Sequence, residues 1–135
     1  MNLEQYIRDI PDFPKEGIIF KDITTLVGNA DAFRASLDQL QNRFADCKAD
    51  AVVAVEARGY IFGAPLADRF GLRFVPVRKP GKLPSETVKQ DYDLEYGSNT
   101  LEIHADAISP GERVILIDDL IATGGSAAAA VALVE

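Results

Sequence analysis

Residues 51–56, AVVAVE, form an unbroken run of small and β-branched apolar residues capped by a single acid. A strand with one wet face would alternate apolar and polar residues, so such a run belongs to a strand covered on both faces, as in a parallel sheet. LRFVPVRK at 72–79 and VILI at 114–117 have the same character. Pro76 lacks a ladder donor, which predicts an edge position or an irregularity for the first of these. Residues 59–70 read as a helix closed by Gly71. Parallel strands require crossover connections. The order helix, strand, helix, strand, hairpin, strand, helix therefore predicts an α/β chain with a mainly parallel central sheet flanked by helices.

The flanking segments carry weaker signals. LEQYIRDI at 3–10 reads as a short helix stopped by Pro11 and Pro14, and GIIF at 17–20 as a short apolar strand. Phe33, Leu37, Leu40 and Phe44 recur at steps of 4, 3 and 4. That spacing predicts an amphipathic helix from Asp31 to Cys47, with Asn29 and Asp31 as candidate N-caps. KPGKLPSETVKQ, rich in breakers and charge, reads as a mobile loop. It flows into a hairpin built from DYDLEYG and TLEIH, turning through Gly97, Ser98 and Asn99. An Ala-rich helix starts near Ser126, and the chain stops inside it without a cap, which reads as a C-terminally truncated or partial chain.

With 135 residues, 47% apolar and 26% charged, the chain suits one globular domain with a genuine core. A net charge of −7 argues against nucleic acid or an anionic membrane as partner. The absence of a leader and of an apolar run of about 18 residues predicts the cytosol. The single Cys47 cannot form an internal disulfide and reads as structural, as does His104, unless that side chain is simply exposed. No His, Cys and Asp cluster has transition-metal spacing.

The chemistry concentrates where VILI runs into Asp118 and Asp119 and then into Ala122-Thr123-Gly124-Gly125-Ser126. Ligands of open parallel sheets bind beyond the carboxyl ends of strands. The two glycines let backbone N–H groups converge, Thr123 and Ser126 add hydroxyl donors, and a helix N-terminus adds partial positive charge, a combination suited to a phosphate dianion. The aspartates either accept hydrogen bonds from vicinal sugar hydroxyls or hold Mg²⁺ through its waters. A phosphate beside hydroxyls implies a phosphorylated sugar. Neither GxxxxGK[ST] nor a GxGxxG after a strand is present.

VILIDDLIATGGS resembles the phosphoribosyl-pyrophosphate loop of the type I phosphoribosyltransferases. FPKEGIIFKDIT (13–24), VEARGYIFGAPLA (55–67), VRKPGKLP (77–84) and DLEYGSNTLEIH (93–104) resemble, in order, the adenine-using branch of that family. The resemblance implies the type I fold, with a small N-terminal hood and a flexible hairpin loop over the site. It also implies a homodimer and transfer of ribosyl 5-phosphate from phosphoribosyl pyrophosphate to N9 of adenine, giving AMP and pyrophosphate. Mg²⁺ is the implied cofactor, bound mainly through substrate, with Asp118 and Asp119 as its candidate protein contacts.

On the same resemblance, Arg58, Arg78, Lys79 and Lys82 face the leaving pyrophosphate. Glu95, with Tyr96 beside it, is tied to catalysis on a loop that closes over the site. Glu95 either stabilises an oxocarbenium-like cation or assists proton movement at the base. Adenine falls to the backbone of Ile19, the ring of Phe20 and the charge of Lys21, where relatives often carry Arg. Arg58 also reads as a surface Arg, the basic cluster as a solvated loop, Glu95 as the polar face of a strand and Phe20 as core. The rival functions are transfer to another base, or a non-catalytic nucleotide-sensing regulator of the same fold.

Overall fold

A computed structural model describes residues 2–12, 16–17, 19–94 and 97–118, and the side chains of 19–20, 92–94 and 97–99 lie outside that description. The chain divides into two compact units, Met1–Asp46 and Cys47–Glu135.

The first unit opens with a single 3-10 turn, Leu3–Tyr6, whose first turn is capped by the Asn2 side chain accepting from the Glu4 N–H at 3.1 Å. The expected helix over 3–10 is confined to that turn. Arg8–Pro11 (β1) is instead a strand, paired antiparallel with Ile19–Asp22 (β2). Pro11 explains the change, because the residue before proline is pushed out of the α region and the missing N–H is tolerated at a strand end. The strand expected at 17–20 lies two residues later, since Glu16 and Gly17 form a turn and Gly17 sits at φ 85°, where a side chain would be strained.

A short helix, Thr24–Val27 (α1), precedes Ala30–Arg43 (α2). Of the two candidate caps, Asn29 is the one used, its side chain accepting from the Ala32 N–H at 3.0 Å. α2 ends at Arg43, short of Cys47. Its buried face runs through Ala32, Ser36 and Leu37, with Phe33, Leu40 and Phe44 only half-buried. Phe33, Leu40 and Phe44 thus flank the buried line of Ala32, Ser36 and Leu37, and Ser36 satisfies its hydroxyl by donating to the Phe33 carbonyl at 2.6 Å. Asp22 anchors the start of α1: its carboxylate accepts the N–H and hydroxyl of Thr24 and pairs with Arg8 at 2.7 Å. Those contacts, led by the Thr24 hydroxyl, lower its pKa from 3.8 to about 2.

In the second unit a three-stranded parallel sheet has the order β4-β3-β7, from Arg73–Val77 (β4), Ala51–Val55 (β3) and Val114–Ile117 (β7). All five β3 residues are buried. Gly59–Phe70 (α3) covers one face through Gly63, against Ala54 and Phe74. Ala51, Val53 and Val55 on the other face form a core with Val75, Val77, Leu101 and Ile103, joined by the half-buried Val114 and Leu116. The expected stop at Gly71 holds, with φ 68° and the Leu72 N–H returning to the Ala67 carbonyl at 2.9 Å. Pro76 lies on β4 at the edge of this sheet, in register with Ala54.

Leu101 and Ile103 belong to an antiparallel hairpin, Thr87–Leu94 (β5) with Gly97–His104 (β6). The register pairs Leu94 with Gly97, so Gly97, Ser98 and Asn99 are strand residues and not the turn expected of them. β5 likewise begins at Thr87, inside the segment expected to be loop. Burial of Leu101 and Ile103 fixes the pairing and overrides the turn preference of Gly and Asn. Besides the packing of Leu101 and Ile103, backbone of the hairpin joins the end of β4 at a bridge between Arg78 and Glu102. The Arg78 N–H donates to the Glu102 carbonyl at 2.9 Å, and the Glu102 N–H donates to that of Arg78 at 2.7 Å.

Two outcomes follow from this packing. A Cβ added at Gly63 would stand 2.7 Å from the Ala54 Cβ and 3.2 Å from Phe74, so Gly63→Ala is expected to cost about 1–3 kcal/mol in urea unfolding; a wild-type midpoint would contradict it. Because Asp22 has a depressed folded pKa, its contribution is complete above about 3.8 and is lost as pH falls towards about 2. Asp22→Asn should flatten the decline of melting temperature across that window, and parallel profiles would refute the assignment.

Candidate active site

Parallel strands end at a common edge, and the register sets Val55 beside Val77 and Ala54 beside Ile117. The next residues along the three strands, Glu56 after β3, Arg78 after β4 and Asp118 after β7, therefore meet at the carboxyl edge of one sheet. Arg58 joins them by standing at the N-cap of α3 with αR backbone, where its side chain makes no cap bond. Gly59 makes that position accessible. A Cβ there would lie 3.0 Å from the Ile117 carbonyl oxygen and 3.5 Å from the Asp118 Cα.

Glu56 organises the charge. Its Oε1 accepts the Lys79 N–H at 2.6 Å and lies 3.5 Å from Arg78 Nε, while Oε2 lies 3.7 Å from Lys82 Nζ. Its own N–H donates to the Val77 carbonyl at 2.9 Å, which fixes it against the end of β4. Burial alone would raise its pKa, but the Lys79 amide and the charges of Lys82, Arg78 and Lys79 outweigh this and hold it below the usual carboxylate value. Tyr60, in the first turn of α3, donates its hydroxyl to the Val77 carbonyl at 2.9 Å and packs edge-on against Phe74, with centroids 5.3 Å apart at 86°. Burial, reinforced by Glu56 against the opposing pull of Arg78, pushes its phenol up to about 12, so it stays a neutral donor.

Of the residues predicted from sequence, Arg78, Lys79 and Lys82 gather at Glu56, and Arg58 and Asp118 lie at the same sheet edge. Lys21 sits on β2 in the first unit, its ammonium 2.6 Å from the Asp9 carboxylate. Ile19 and Phe20 form part of β2, paired through their backbones with Pro11 and Ile10. Glu95, Tyr96, Asp119, Ala122, Thr123, Gly124, Gly125 and Ser126 lie outside the described residues, as does the helix expected near Ser126. His104 ends β6 half-buried, its Nε2 enclosed without a hydrogen bond among the described residues, and Cys47 is a half-buried free thiol.

Glu56 and Tyr60 escaped the sequence reading. A signal for Glu56 existed: like Asp118, it is an acid placed directly after a continuous apolar run. Tyr60 carried none, since an aromatic on an apolar helix reads as core.

Among the described residues no group of three or more His, Cys, Asp or Glu side chains forms a metal-ligand set. Asp118, a hard oxygen donor at the strand end, fits a Mg²⁺ ion that draws most of its ligands from a bound substrate. No helix among the described residues is long and apolar enough to cross a membrane.

Residues 23–135 match the family model for the phosphoribosyl transferase domain. An adenine phosphoribosyltransferase of Maridesulfovibrio salexigens is 59% identical over 135 residues, spanning all of this chain and 79% of that protein. The crystal structure of adenine phosphoribosyltransferase from Thermoanaerobacter pseudethanolicus superposes with a TM-score of 0.94 at 55% identity, over 98% of this chain and 77% of the other. The Saccharomyces cerevisiae enzyme, solved with adenine and an imino-altritol bisphosphate, superposes with a TM-score of 0.91 at 46% identity, over 98% and 77%.

The close approach of α3 to β7 is directly testable. Gly59→Val puts a branched side chain against the Ile117 carbonyl and should lower unfolding stability by about 1–3 kcal/mol. Unfolding at the wild-type urea concentration would show that the approach tolerates bulk.

Proposed function

The chain belongs to the adenine phosphoribosyltransferases, pentosyl-transferring enzymes of the phosphoribosyl transferase family, and on that premise we propose how its own residues divide the reaction. Adenine N9 forms a bond to C1 of the ribosyl 5-phosphate while the bond from C1 to the pyrophosphate oxygen breaks; pyrophosphate leaves with the bonding pair and the imidazole-ring proton of adenine is released, giving AMP and pyrophosphate. The observation that supports this most strongly is identity at 59% across the whole chain, together with the convergence of Arg58, Arg78, Lys82 and Asp118 at one sheet edge.

Arg78 and Lys82, with Arg58 at the start of α3, take the departing pyrophosphate. Support comes from their location, since charge that develops on a leaving group is best met by donors already held in place. Mg²⁺, when bound, supplies further positive charge to the pyrophosphate. Asp118 and Asp119 accept from the ribose hydroxyls or contact that ion. The backbone of Ala122 to Ser126, with Thr123 and Ser126, holds the 5-phosphate by the anion-binding logic of a glycine-rich turn at a helix start.

Ile19 reads adenine through its backbone, Phe20 stacks on the ring and Lys21 adds charge nearby. Glu95, with Tyr96 beside it, acts on the developing cation or on a base proton. We further propose that the chain acts as one phosphoribosyltransferase domain, a reading supported by a family match that runs across both compact units. A homodimer and a cytosolic location complete the proposal.

The decisive assay is AMP formation from adenine and phosphoribosyl pyrophosphate with Mg²⁺. Wild-type protein should turn over adenine, and Arg58→Ala should lower kcat/KM by about 10²-fold, the scale of removing one preorganised charge-stabilising group. Preference for a 6-oxopurine would overturn the base assignment, and wild-type kinetics in the Arg58 variant would remove that residue from the site.

A further inference from the structure

Nothing in the chemistry above uses the carboxylate at the centre of the basic cluster. Glu56 has a side chain only 9% exposed, yet it faces two cations and an amide with both of its oxygens. The contacts differ in kind. The Lys79 amide makes a short hydrogen bond at 2.6 Å, which fixes the carboxylate, whereas Arg78 and Lys82 approach only to 3.5 and 3.7 Å. Arg78 Nε is buried and has no hydrogen bond among the described residues, so its pairing with Glu56 at 3.5 Å is electrostatic and leaves that N–H unsatisfied. The carboxylate is firmly seated while its cations are only loosely held.

We propose that Glu56 is a resident counter-anion that positions Arg78 and Lys82 and competes with pyrophosphate for them, which lowers the affinity of the site for that product. The inference rests on the reading that this cluster receives pyrophosphate. Two cations within 4.0 Å of one carboxylate present the same charge arrangement that a diphosphate oxygen pair requires. A polyanion facing these cations unopposed would bind tightly and leave slowly, and release of product limits many well-evolved enzymes. A fixed anion at the same point keeps the cations ordered in the free protein and weakens each contact they make with the product. The depressed pKa of Glu56 keeps that anion ionised at neutral pH.

Glu56→Gln separates charge from shape, because the amide oxygen still accepts from the Lys79 N–H. Binding of inorganic pyrophosphate, measured by calorimetry in magnesium-free buffer, should tighten by roughly 3- to 10-fold, the scale of relieving two partly exposed ion pairs. AMP affinity should change by less than about twofold, since its phosphate uses the other loop. A general loosening of the fold would weaken both ligands. Unchanged or weaker pyrophosphate binding in a folded Glu56→Gln protein overturns the proposal. Should that variant fail to fold, Glu56→Asp, which draws the carboxylate back from both cations, should tighten pyrophosphate in the same direction by a smaller factor, and its failure to do so is equally fatal. Arg78→Met separates the two levels of the reading. If it leaves pyrophosphate affinity untouched, the cluster is not the pyrophosphate site and both readings fall. If it weakens binding while Glu56→Gln does not tighten it, only the counter-anion role is lost.

Discussion

Burial of Ala51–Val55 on both faces is the constraint from which the second unit follows. A strand with no wet side must be paired on both edges and covered above and below. Here β4 and β7 supply the edges, α3 one cover, and Leu101 and Ile103 of the hairpin contribute to the other. A one-residue slip would exchange the faces of the flanking strands, so the register is held firmly. Because all three strands run in the same direction, fixing their register also fixes which residues meet beyond their ends. Glu56, Arg78 and Asp118 are far apart in the chain, and packing alone brings them to one edge.

Electrostatics at that edge runs against the character of the whole molecule. A chain with net charge −7 repels polyanions at long range. The cationic cluster therefore acts at short range, and it is concentrated by attachment to rigid strand ends. Glu56 is central to this arrangement: it bonds to backbone on both sides, through its N–H to Val77 and through its carboxylate to Lys79. Tyr60 uses the same Val77 carbonyl, so helix and strand end are fastened at a shared point.

Much of this was legible in the residues. The continuous apolar runs announced β3, β4 and β7, and Gly71 announced the end of α3, because in each case the side-chain pattern and the backbone requirement agree. The misread elements are those where they disagree. Gly97 to Asn99 have turn chemistry, yet the pairing of Gln90 with Leu101 and Val88 with Ile103 is decided by where Leu101 and Ile103 can be buried. Residues 3–10 hold helix formers, but Ile10 stands before a proline and finds a strand partner in Phe20. For the site, the basic residues 78, 79 and 82 were visible as a cluster because they are close in sequence. Their common partner was not, since Glu56 lies more than twenty residues earlier and is joined to them only through the parallel register.

The reciprocal pair of backbone hydrogen bonds between Arg78 and Glu102 has a mechanical meaning. Glu102 lies in the middle of β6, where it also pairs across the hairpin with Lys89, 3.9 Å away. The hairpin is thus joined through backbone to the same residue whose guanidinium faces Glu56. Leu101 and Ile103, on either side of Glu102, are buried against the same sheet, so the seating of the hairpin and the backbone position of Arg78 are set together.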